Sequence, residues 1–169
     1  MARKKLGNQN PTQSVILKYV KKNSKAKEAI ELYERTGLSC YSWQRNLLTP
    51  LMAVDKDGLW VHQKFGYSIP RRNGKTEIVY IFEIWGLHNG MNILHTAHRI
   101  STSHSSFEKV KKYLEKMGYI EGEHFSSIRA KGQERIELFD GGGVIQFRTR
   151  TSNGGLGEGF DLLIIDEAQ

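Results

Sequence analysis

The apolar positions of this chain change period more than once, and each change marks an element. From Ser24 they recur at helical spacing, at Ala26, Ile30 and Tyr33, until Gly37 offers the stop that a left-handed cap requires. Ser42 to Val54 carries Trp43, Leu47, Leu48 and Leu51 on one side, which predicts a further helix with Pro50 tolerated only near a bend. Ahead of both, Thr12 or Ser14 is placed to cap a short helix bearing Val15, Ile16, Tyr19 and Val20. Beyond Gly58 the spacing shortens. Trp60, Val61, Phe65, Tyr67 and Ile69 predict one or two strands leading into a loop from Pro70 to Gly74, and a helix then runs from Lys75 to about His88, ending at Asn89-Gly90. Met91 to His95 reads as an aliphatic strand, and Ser101 to Met117 as an amphipathic helix with Phe107, Val110 and Leu114 inward. Arg135 to Phe139 and Val144 to Phe147 flank Asp140-Gly141-Gly142-Gly143, the composition of a hairpin turn. After a loop from Thr151 to Gly159, Leu162 to Ile165 is aliphatic without alternation, which predicts a parallel strand covered on both faces. There are no internal repeats and no clear linker, so the order predicts one α/β domain.

Chemistry concentrates at two of these junctions. Gly74-Lys75-Thr76 stands at a strand-to-helix turn, where glycine admits a phosphate to the backbone, helix amides point at it, Lys75 adds charge and Thr76 can ligate Mg²⁺. The first glycine of the usual phosphate-loop pattern is replaced by Ile69. Asp166-Glu167 closes the last aliphatic run, at the strand end where α/β folds bind ligands, so Asp166 is suited to hold Mg²⁺ and Glu167 to polarise a water. Each motif alone also fits an ordinary helix cap or strand terminus. Arg71 and Arg72 put permanent positive charge inside the loop, where one of them can act as an arginine finger supplied by the same chain. For Arg72 an outward-facing position is the simpler expectation. His95, His98 and His104 run from strand into loop and helix with no carboxylate or cysteine beside them, which argues against a metal centre and for imidazoles in a polar loop.

Composition sharpens the picture. In 169 residues, seven Tyr, seven Phe and three Trp suffice for one core. The single cysteine, Cys40, excludes an internal disulfide and a cysteine-based metal cluster, which fits a reducing compartment. No stretch is long and apolar enough for a signal sequence or a membrane span. The net charge of +7 favours an anionic partner, and the excess gathers between Met1 and Lys27, where eight Lys or Arg occur without an Asp or Glu.

Four segments, taken in order, resemble the ATPase domain of phage terminase large subunits, the motors that package double-stranded DNA. Ile69-Pro70-Arg71-Arg72-Asn73-Gly74-Lys75-Thr76 is similar to that family's phosphate loop, and Leu162 to Gln169 to its Walker B strand with catalytic glutamate. Tyr41-Ser42-Trp43-Gln44-Arg45 resembles the upstream glutamine motif that contacts adenine, and Thr96-Ala97-His98 through Phe107 the strand-to-helix segment after the phosphate-loop helix. The resemblance covers residues 39–169, behind a basic helical lead of 1–38. It implies a P-loop NTPase fold of the additional-strand, RecA-like kind: a mostly parallel sheet with flanking helices, here truncated after the Walker B strand and without the family's nuclease domain. In that arrangement the strands flanking the phosphate-loop strand follow Walker B, so the segment up to Ile69 is left without sheet neighbours. The implied roles are Gln44, Arg71, Arg72, Asn73, Gly74, Lys75 and Thr76 around ATP, Thr76 and Asp166 on Mg²⁺, and Arg71 and Glu167 in catalysis. The implied partners are double-stranded DNA, a terminase small subunit, a portal protein and further copies of the chain, in the host cytoplasm. Many relatives carry an arginine where Leu156-Gly157 stands, a place that Arg148 or Arg150 is near enough to fill. A helicase-type translocase shares both motifs, and an ATPase-inactive DNA-binding remnant is the remaining alternative.

Overall fold

The computed structural model describes residues 8–130, 133–150 and 158–167. Helices α1 (Ala26–Glu34), α2 (Ser42–Leu51), α3 (Lys75–His88) and α4 (Ile100–Lys116) surround and support strands β1 (Asn92–Ala97), β2 (Phe125–Ile128), β3 (Glu134–Leu138), β4 (Val144–Thr149) and β5 (Leu162–Ile165). The strands form one sheet in the order β2-β3-β4-β1-β5. β1 is parallel to both β4 and β5, whereas β2 with β3 and β3 with β4 are antiparallel. The sheet is therefore mixed, where the sequence implied a mostly parallel one. The cause is local: Asp140 and Gly141 both take positive φ, 56° and 80°, which suits a tight hairpin and turns the chain straight back.

α3 is apolar nearly all round because it is covered nearly all round. Ile78, Ile81, Ile84 and Leu87 are fully buried, each burial being worth about 1.5–3 kcal/mol over exposure. α1 and α2 pack on α3 away from the sheet, while α4 joins α3 against it through Phe107, which meets Phe147 of β4. The turn from α3 into β1 interlocks with the β3–β4 hairpin. Gly143 donates to Leu87 O at 2.6 Å, and a Cβ there would stand 2.2 Å from Met91 O, so only glycine fits.

Two expected elements are absent and two others differ in cover or length. Val15 to Val20 takes no regular structure rather than a helix, and Val15, Ile16, Leu17 and Val20 are exposed, followed by one 3-10 turn at Lys21–Asn23. Residues 61–69 form no strand; Trp60 makes a single bridge to Val54 and packs on Phe82 and Trp85. A strand there lacks a partner, because β5 pairs only with β1 among the described residues. β5 itself is covered on one face: Leu163 and Ile165 are 54% and 50% exposed, while Leu162 and Ile164 pack against the core. The helix expected to reach Val54 stops at Leu51, one residue past Pro50. No helix among the described residues is long and apolar enough to cross a membrane.

Candidate nucleotide-binding site

α3 begins in a loop held from behind. Asn73 donates through Nδ2 to Pro70 O and Arg71 O at 3.1 and 3.2 Å, Gln44 donates to Gly74 O at 3.0 Å, and the Tyr67 hydroxyl donates to Lys75 O at 3.1 Å. Four carbonyls are thereby pulled away from the loop's open side. The N–H groups of residues 74–76, by contrast, find no acceptor among the described residues, while Arg71 and Arg72 sit in a turn just ahead of them. Gly74 has φ +76° and Arg72 φ +63°, so the backbone bends through left-handed conformations that turn successive amides the same way. Such amides at a helix start attract an anion, the more so beside Lys75. Arg71, Arg72 and Asn73 are exposed, and Gly74, Lys75 and Thr76 half-buried.

Gln44 is committed on both sides. Its Oε1 accepts the Tyr41 N–H at 2.8 Å as its Nε2 holds Gly74, and it is 2% exposed. The structure thus sets Gln44 directly behind the loop from Pro70 to Gly74, as a brace on its backbone.

The carboxylates end β5. Thr96 of β1 accepts the Asp166 N–H on its carbonyl at 2.9 Å and donates its hydroxyl to Ile164 O at 2.9 Å. Glu167 sits at φ +52° with its N–H on Asp166 Oδ1 at 3.0 Å. Arg150 grips this step, donating to Asp166 O at 3.2 Å and Glu167 O at 2.6 Å, and it lines a cavity of about 460 Å³ with Phe160, Leu163 and Ile165. Arg148 is spent elsewhere, in a two-pronged pair with Glu158 at 2.9 and 2.8 Å. Leu156, Gly157, Ala168 and Gln169 lie outside the described residues.

Topology brings the two junctions to one edge. α3 runs back antiparallel to β1, and β5 runs parallel to β1, so the start of α3 and the end of β5 share the carboxyl edge of the sheet. Tyr67 links them: its hydroxyl bonds Lys75 O, and burial, with the Asp166 and Glu83 charges next, holds that hydroxyl protonated well above the ordinary tyrosine range. The donors suit a hard divalent cation, since Thr76 and Asp166 offer oxygens. Among the described residues no three His, Cys, Asp or Glu cluster as a cage.

Several functional neighbours escape a reading of the sequence. Glu77, in the first turn of α3, accepts hydrogen bonds from Tyr33 of α1 and Tyr113 of α4, both 2.6 Å to Oε2. Glu83 and His95, far from a polar loop, meet inside the core at 2.5 Å with no exposure. Burial pushes the Glu83 carboxyl up, with His95 pulling it back; burial opposes charge on His95, but Glu83 outweighs it and raises the imidazole. Helical spacing from Lys75 would have placed Glu77 and Glu83 on α3, yet their partners come from distant elements. No protein-family profile matches the chain, and no curated protein is significantly similar to it in sequence.

Proposed function

We propose that the chain forms the nucleotide-handling part of an ATP-driven motor acting on duplex DNA, of the terminase large-subunit kind. The observation that supports this most is the loop at the start of α3, whose carbonyls are tied back while the N–H groups of residues 74–76 have no acceptor among the described residues, on the sheet edge that also carries Asp166 and Glu167. In this reading the amides and Lys75 bind the β- and γ-phosphates, and Gln44 and Asn73 keep the loop in shape to do so. Thr76 and Asp166 hold Mg²⁺, which neutralises charge on the phosphates when bound. Glu167 accepts a proton from the attacking water, its backbone fixed by Arg150. Arg71, exposed at the loop's tip, stabilises charge on the transferring group. Duplex DNA is the partner that the basic lead fits, and the small subunit, portal and further copies follow from the same resemblance.

Calorimetry with ATP and Mg²⁺ tests the reading. Lys75→Ala should weaken binding by about ten- to a hundredfold, the worth of a charge-assisted hydrogen bond. An unchanged affinity would remove the basis for a phosphate site.

A further inference from the structure

A buried polar pair sits where the core has least use for one. α3 faces the sheet with Ile78, Ile81, Ile84 and Leu87, and β1 answers with Ile93 and Ala97, all fully buried. Between them Glu83 Oε1 and His95 Nδ1 meet at 2.5 Å, and among the described residues neither Glu83 Oε2 nor His95 Nε2 has a partner. The Phe147 ring lies against the imidazole, centroids 5.3 Å apart. Such a pair is a poor source of stability, because desolvating two charges offsets most of their attraction and apolar side chains of similar volume often hold as well or better.

What the pair joins is more telling. Glu83 is on the helix that begins with Lys75 and Thr76, about two turns further along. His95 lies opposite Ile164, two residues before Asp166, and its neighbour Thr96 takes the Asp166 N–H. Among the described residues, Glu83 to His95 is the only hydrogen bond or ion pair between α3 and β1; the rest of that interface is apolar packing, which is non-directional. The charge of Asp166 reaches both members.

We propose that Glu83 and His95 are positioning residues that lock the register of α3 on β1, and so hold Thr76 and Asp166 at the separation a shared Mg²⁺ requires. This rests on the nucleotide-site reading above. The pair touches neither nucleotide nor metal; it acts through the two elements that carry their ligands.

The test measures ATP affinity by calorimetry on the full chain, in chelator and across a Mg²⁺ series. The double variant Glu83→Leu/His95→Leu should melt at or above the wild-type temperature and bind ATP in chelator within about twofold of wild type, yet need about tenfold more Mg²⁺ or beyond for half-maximal enhancement, as when groups that orient metal ligands are removed. Glu83→Gln keeps an acceptor for the His95 N–H and should stay near wild type. If the leucine pair does not fold, His95→Gln is compared with Glu83→Gln in its place, with the same shift expected of the first alone. A wild-type Mg²⁺ dependence in the double variant overturns the proposal, as does an equal shift in Glu83→Gln, which would assign the effect to charge rather than register. A wild-type chain that binds no ATP overturns the nucleotide reading and this one with it; ATP binding with an unmoved Mg²⁺ requirement overturns this one alone.

Discussion

Arg71 and Cys40 show how differently two side chains can be left by the same fold. Arg71 is exposed in the loop that opens α3, with its carbonyl held by Asn73 and its guanidinium unpaired among the described residues. A free charge there does most where phosphate charge grows, so Arg71→Ala should lower ATP turnover by about a thousandfold with a smaller change in affinity. Single-turnover kinetics against Arg72→Ala decide between the two; a larger loss at Arg72 would transfer the role. Cys40 is the opposite case, 8% exposed, its thiol pushed up to about 11 chiefly by burial and only partly relieved by Arg45. The sign follows from which state holds the proton longer. As pH rises past the ordinary thiol value the unfolded chain ionises first, so stability is full below about 9 and is lost as the pH climbs towards 11. An aromatic disulfide reagent should leave Cys40 untouched in the native chain at pH 8 and label it on unfolding; native labelling at the rate of a free thiol would contradict the burial.

At the scale of elements, three helices are drawn together by one carboxylate. Tyr33 and Tyr113 come from α1 and α4 to a single oxygen of Glu77, and burial, reinforced by that carboxylate, holds both hydroxyls protonated through ordinary alkaline pH. Tyr33→Phe or Tyr113→Phe should each cost about 1.5–3 kcal/mol, with the denaturant slope unchanged. Urea midpoints equal to wild type would show the clamp to be idle. Nothing in the sequence announces this clamp, since its members stand dozens of residues apart. What was legible were elements with their own punctuation: α3 starts at Gly74 and ends at Asn89-Gly90, and the β3–β4 hairpin turns on Asp140-Gly141. β2 was overlooked because only Phe125 of its four residues is fully buried and two serines interrupt the pattern. The stretch from Trp60 to Ile69 misled because its aromatics pack as a loop, with His62 against Phe65 and Trp60 against α3. Lys75, Thr76, Asp166 and Glu167 were visible as motifs, whereas Tyr67, Glu77, Glu83, His95 and Arg150 owe their places to packing across the sheet and between helices.

Over the whole molecule, charge and apolar cover are unevenly spread. Lys18, Lys21, Lys22, Lys25 and Lys27 are all exposed and no acid stands among residues 8–27, although Lys27 pairs with Glu31 at 3.8 Å one helical turn on. Replacing Lys18, Lys21 and Lys22 by Gln should weaken duplex DNA binding for all sequences alike and flatten its salt dependence by about 0.9 for every phosphate left without its lysine; equal affinity and slope in a fluorescence titration would mark the face as merely solvated. The apolar asymmetry has its own outcome. β5 has four residues, a half-bare outer face and, among the described residues, one partner strand, so its pairing with β1 is thinly guarded. Local opening is cheapest there, and the strand that delivers Asp166 belongs to the part of the fold that exchanges its hydrogens soonest. Any ligand that binds only the closed form slows that opening by mass action, so occupancy of the site would be written in the lifetime of the β5 amides bonded to β1 rather than in the shape of the whole.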